Sequence, residues 1–191
     1  MKSQQWSENV ILADAGFLDS LTFEMTVYFE RILDRRIPKA DLARWVDCIA
    51  LDGGLLPGDN KTQVILLHKA EKTALQNFVP STFQGDIDGQ AFNDSLGEFT
   101  LHTATPEGLA SMKDFFVQSF ELLSHATDVK RIIAVPDMQE YGSTILQAAA
   151  KAQEKDLTLL VGNPQGSWNF KQEKIAYSIM TALGIRGEEL A

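Results

Sequence analysis

Four carboxylates stand where acids can do chemistry. Asp14 closes the apolar run "NVILAD". Asp137 follows "RIIAVP", Glu140 comes three positions later, and Asp114 lies early in "MKDFFVQSFELL". Carboxylates gathered at one place repel one another, and their pKa values shift unless a cation or a proton intervenes. A hard divalent ion such as Mg²⁺ or Mn²⁺ relieves the repulsion, polarises a phosphate and activates water. Asp14, Asp114 and Asp137 are therefore candidate ligands for such an ion, with Glu140 as a secondary ligand or base. The same acids also suit helix starts. Asp137-Met138-Gln139-Glu140 makes a capping box, Asp14 can cap the helix that follows it, and Asp114 can be a plain surface acid. Where the carboxylates point separates the two readings.

The elements that must position these acids follow from hydrophobic periodicity. Short apolar runs predict strands at about 9–14, 62–68, 98–104, 132–135 and 157–162. Between them lie amphipathic helices. The first, about 17–34, carries a stripe of Leu18, Leu21, Met25, Tyr28 and Ile32. The second, about 38–51, is opened by Pro38. A short helix is expected at 70–78. Another begins at Thr105-Pro106 and runs to about 125, with Asp114 off its Phe115/Phe116 side. A fifth follows the strand that ends at Val135. The last is "KQEKIAYSIMTALG", closed by Gly184. Residues 79–97 are polar and rich in glycine and aspartate, an excursion from one domain spanning 1–191. The alternation predicts a three-layer α/β/α fold around a mainly parallel five-stranded sheet, in strand order 3-2-1-4-5. That order puts the first and fourth strands side by side, so Asp14 and Asp137 share one crevice at the carboxyl ends, where such sheets bind ligands.

With these residues placed, the chain resembles a family. "NVILADAGFLD" looks like the first strand of PIN-like nucleases, including their NYN branch, where an aspartate ends the strand. "MKDFFVQSFELL" is similar to the later helix that carries another family acid, matched by Asp114. "RIIAVPDMQEYGSTI" resembles the strand ending in an S-G-D-x-D-F-like motif, with Asp137 matching its first acid, Glu140 loosely its second and Tyr141 its aromatic. Val135-Pro136 replaces the small Ser-Gly pair, and one extra residue separates the acids. The resemblance implies a Mg²⁺- or Mn²⁺-dependent ribonuclease or phosphodiesterase, or a catalytically inactive relative that binds a partner or self-associates.

Composition bears on partners. The net charge of −9 repels phosphate backbones. The exception is a local basic patch, Arg31, Arg35, Arg36, Lys39 and Arg44, which is the candidate RNA contact. A protein partner or a second copy is the other expectation, with Phe78, Phe83 and Phe92 as anchors. No apolar run approaches the roughly 18 residues of a membrane span, and the start "MKSQQWSENV" lacks a signal-peptide core. A single cysteine, Cys48, forms no internal disulfide, so the cytoplasm is expected. His68 and His102 read as core or rim histidines, and "DIDGQAFND" fails as a calcium loop. "VGNPQGSWNF" offers backbone amides after a strand, a further candidate nucleotide contact.

Overall fold

A computed structural model describes residues 5–152 and 154–191. In chain order the elements are β1 (Asn9–Asp14), α1 (Ala15–Leu33), β2 (Ala40–Asp41), α2 (Leu42–Asp52), β3 (Lys61–Leu67), β4 (Phe78–Val79), β5 (Ala91–Asp94), β6 (Gly97–Ala104), α3 (Met112–His125), β7 (Arg131–Val135), α4 (Met138–Lys151), β8 (Asp156–Val161), β9 (Lys171–Lys174) and α5 (Ala176–Ala182). A π-helical turn spans Phe83–Ile87 and a 3₁₀ turn Gly187–Leu190.

The main sheet has seven strands in the order β5-β6-β3-β1-β7-β8-β9, and β2 pairs separately with β4. The five-strand expectation is corrected at both edges. β5 runs antiparallel to β6, inside the segment read as an excursion. β9 pairs parallel with β8, in a stretch read as the start of the last helix. Lys171–Lys174 is polar throughout and largely exposed, so no apolar alternation marks it; its strand character comes from hydrogen bonds along the edge of β8.

β1 sits between β3 and β7 and is buried at every position. Ile11 and Ala13 face one core, shared with Leu18, Trp45, Ile49 and Ile179 from α1, α2 and α5. Val10 and Leu12 face the other, shared with Phe116, Phe120, Tyr141 and Ile145 from α3 and α4. Burial on both sides explains why β1 reads as a continuous apolar run rather than an alternating one. Each fully buried aliphatic or aromatic side chain contributes about 1.5–3 kcal/mol.

Helix starts depart from expectation where a better cap lies downstream. α2 begins at Leu42, not Pro38, because the side chain of Asp41 accepts from the N–H of Arg44. α3 begins at Met112, not at Pro106, because Ser111 caps Asp114 N–H. No helix forms at 70–78; Ala74 instead bridges to Thr82. The buried side of α1 is Ala15, Leu18, Thr22 and Phe29. Of the expected stripe, Leu18 is buried and Leu21 and Met25 pack against the core, but Tyr28 is 57% and Ile32 50% exposed. A buried Thr22 hides the true face from a hydrophobicity count, and its hydroxyl is satisfied by donating to Leu18 C=O at 2.8 Å. Phe78 and Phe83, expected as partner anchors, are core residues, and Phe92 stacks on Phe99. Among the described residues, no helix is long and apolar enough to cross a membrane.

Candidate functional site

β1 is the point where the sheet's order reverses, since the chain leaves it for β3 on one side and later fills β7 on the other. Asp14 lies beside Leu67 of β3, and Ala13 beside Val135 of β7. α1 leaves the end of β1 on one face, and α4 leaves the end of β7 on the other. Their divergence opens a crevice of about 1060 Å³ over the carboxyl ends, where an open α/β sheet offers its ligand site.

Asp14 forms part of the floor. It is only 5% exposed. Its Oδ1 accepts from Phe17 N–H at 3.1 Å, capping α1, and its Oδ2 accepts from the Tyr141 hydroxyl at 2.7 Å. Burial pushes the Asp14 carboxyl above its ordinary value. The Tyr141 and Phe17 donors pull it down, and the nearby charges of Asp137 and Glu140 push it up again. Burial and the Asp14 charge also raise the Tyr141 hydroxyl, so tyrosine is the donor in this bond. The backbone accommodates the contact, since Tyr141 adopts φ −139° and ψ 26° and kinks α4 in its first turn. The sequence pairs Tyr141 with a motif aromatic and does not disclose this bond, which spans 127 positions. The one available signal is a hydroxyl-bearing aromatic on the buried stripe of a helix that starts beside β1.

Asp137 borders the crevice but turns to its own helix, where its Oδ1 accepts from Gln139 and Glu140 N–H at 3.1 and 3.2 Å. Glu140 is exposed on the crevice wall. Asp114 is not a lining residue; it is exposed in the first turn of α3. Three of the four expected acids thus share the crevice, and the Asp14–Asp114–Asp137 set does not assemble. Among the described residues, no group of three or more His, Cys, Asp or Glu side chains is arranged to hold a metal ion. The donor set does not fit the proposed ion, because Asp14 and Asp137 already serve as caps and Asp14 is sealed by Tyr141. Asp114→Ala is expected to change stability by no more than about 0.5 kcal/mol, as exposed substitutions do, in a urea titration.

The opposite wall comes from the segment after β3. His68 is 6% exposed and stacks on Phe83, with ring centroids 3.8 Å apart. Its Nδ1 lies 3.0 and 2.9 Å from the carbonyls of Lys69 and Lys72. Those partners are acceptors, so Nδ1 carries the proton and Nε2 is left with a lone pair; Nε2 has no hydrogen-bond partner. Lys69 and Lys72 line the crevice and are exposed. Asp19 also borders it, but both its oxygens are engaged by Gln76 and Asn77 N–H.

The expected basic patch lies elsewhere. Arg31 is in the last turn of α1, about 10 Å along the helix, at 1.5 Å per residue, beyond Glu24, the last α1 residue to line the crevice. Arg35 is paired with Glu189 at 2.7 Å, while Arg36, Lys39 and Arg44 are exposed. The acids of "DIDGQAFND" fix local turns, with Asp88 accepting from Thr103 N–H and Asp94 from Leu96 N–H. Cys48 is half-buried, and burial raises its thiol pKa, the opposite of what a nucleophile needs.

Residues 3–190 match the model of a family described as one of unknown function, DUF6621. No curated protein and no solved structure matches the chain.

Proposed function

We propose that this chain, which belongs to the family of unknown function DUF6621, is a non-catalytic binding module of PIN-like topology that receives a small ligand in the crevice over β1. The observation that carries this reading is the state of Asp14. Both its oxygens are engaged by protein donors in a nearly closed environment, so its carboxylate serves the fold. The PIN-like part of the reading is supported by the central strand order β6-β3-β1-β7-β8, which in order of appearance is 3-2-1-4-5. It is a likeness of topology. The expected thermal-melt result is no shift with millimolar Mg²⁺ or Mn²⁺, together with saturable perturbation of crevice amides by small fragments in ¹⁵N-resolved spectra of the full chain. Fragments that bind only outside the crevice would remove the reading.

A second reading, a Mg²⁺- or Mn²⁺-dependent ribonuclease or phosphodiesterase, is favoured by one observation. Burial is the main cause of the raised Asp14 carboxyl, and the charges of Asp137 and Glu140 add a smaller push, which is the repulsion a cation would relieve. Its test is metal-dependent cleavage of single-stranded RNA that disappears in Asp14→Asn. Absence of cleavage with either metal, or equal cleavage by the variant, counts against it.

A further inference from the structure

The two free walls of the crevice carry opposite charge. The segment after β3 presents Lys69 and Lys72, and the start of α4 presents Glu140 beside the capping Asp137. β1 alone separates β3 from β7, so at about 4.8 Å per strand spacing the strand ends from which the two walls rise stand about 10 Å apart. Apolar side chains lie between them, among them Phe17, Leu21, Leu75 and Met138. His68 also lines the crevice, but its Nε2 is buried. Of the remaining acids, Asp19 is engaged by backbone amides and Glu24 lies farther along α1.

We infer that the crevice takes a zwitterion whose opposite charges are about 10 Å apart, the reach of an extended tripeptide at about 3.3–3.6 Å per residue. The anionic end meets Lys69 and Lys72. The ammonium end meets Glu140 and the free edge of Asp137. The apolar body covers the side chains between. A single amino acid is too short to reach both walls. A nucleic-acid strand supplies negative charge along its whole length and would meet Glu140 and Asp137 unfavourably.

This inference rests on the binding reading above, and its test separates the two. The full chain is titrated with trialanine, N-acetyl-trialanine, trialanine amide and free alanine, with crevice amides followed by ¹⁵N-resolved spectra. Trialanine is expected to bind saturably. Blocking either end is expected to weaken binding about tenfold or more, the worth of one charge-assisted hydrogen bond. In Lys69→Ala/Lys72→Ala the amide should bind as well as the free acid, and in Glu140→Gln the penalty for acetylation should shrink, with Asp137 still in place. These side chains are exposed, so folding is expected to survive and the wild-type spectrum supplies the check. Equal binding of blocked and free peptides overturns the inference, as does equal binding of alanine. If neutral fragments perturb the crevice while all four probes are silent, the zwitterion is overturned and the binding reading stands. Silence of fragments and probes alike overturns both.

Discussion

Tyr141→Phe is expected to lower the unfolding free energy by about 1.5–3 kcal/mol at pH 8, the range for a hydrogen bond to a charged group whose partner stays buried. In wild type the hydroxyl donates to Asp14 Oδ2 at 2.7 Å, and Asp14 is 5% exposed. The variant keeps the ring and its packing near Phe116, whose centroid lies 5.4 Å away, so the loss isolates the hydrogen bond. At about 2–4 °C per kcal/mol for a chain of this size, the melt falls by several degrees. The pH dependence gives the sharper check. Asp14 is raised by burial and held down by Tyr141; without the hydroxyl its folded pKa rises further. A raised acid favours the protonated folded state, so its contribution to stability is lost as pH climbs through the folded value. The variant's deficit should therefore be larger at pH 8 than at pH 4. In a double-mutant cycle with Asp14→Asn, coupling should account for most of the loss. A deficit that is flat with pH and additive with Asp14→Asn would place the effect in packing.

The legibility of the fold followed how much each element depends on its own residues. β1, β7 and β8 are buried runs, and burial on both faces writes itself into composition as Val, Ile and Leu, while β3 and β6 show the alternation of strands with one more open face. The edge strands depend on their neighbours instead. Lys171–Lys174 carries no apolar residue, and Ala91–Asp94 carries only Ala91 and Phe92, so neither has a local pattern to read. Helix starts were displaced for a related reason. Pro38 and Pro106 permit a first turn, but Asp41 and Ser111 supply the side-chain acceptors that make one. At the site, the positions of Asp14, Asp137 and Glu140 at one crevice followed from the strand ends and the strand order. The destination of each oxygen did not. It depends on a long-range partner, Tyr141, and on the choice between capping and the crevice, which geometry decides after packing. His68 ends an expected strand, Lys69 follows it and Lys72 lies in a stretch expected to be a short helix, so their common wall had no sequence signature.

A second aspartate shows the opposite outcome of burial, because its neighbour is another acid instead of a hydroxyl. Asp47 lies on α2 and Asp94 ends β5; they are close enough for one carboxyl to hydrogen-bond the other. Asp94 already accepts Leu96 N–H at 2.8 Å, and Asp47 Oδ1 is buried with no donor of its own. Two carboxylates cannot make this bond without a proton. Burial first, then Asp94 and the charge of Asp41, push the Asp47 carboxyl from 3.8 up to about 7. Between those values the folded chain holds a proton that the unfolded chain releases. Stability is therefore fullest below about pH 4 and declines as pH rises to about 7. Asp47→Asn puts a permanent amide donor opposite Asp94. The expected result is a variant about 1–2 kcal/mol more stable than wild type at pH 8, after discounting the shift for the solvent that screens a half-exposed pair. At pH 4 the two proteins should be nearly equal, because wild type then carries the shared proton itself. Urea titrations at both pH values decide it. A variant that is less stable at pH 8, or a wild type whose stability is level from pH 4 to 8, would mean that Asp47 and Asp94 are both ionised and held apart by water.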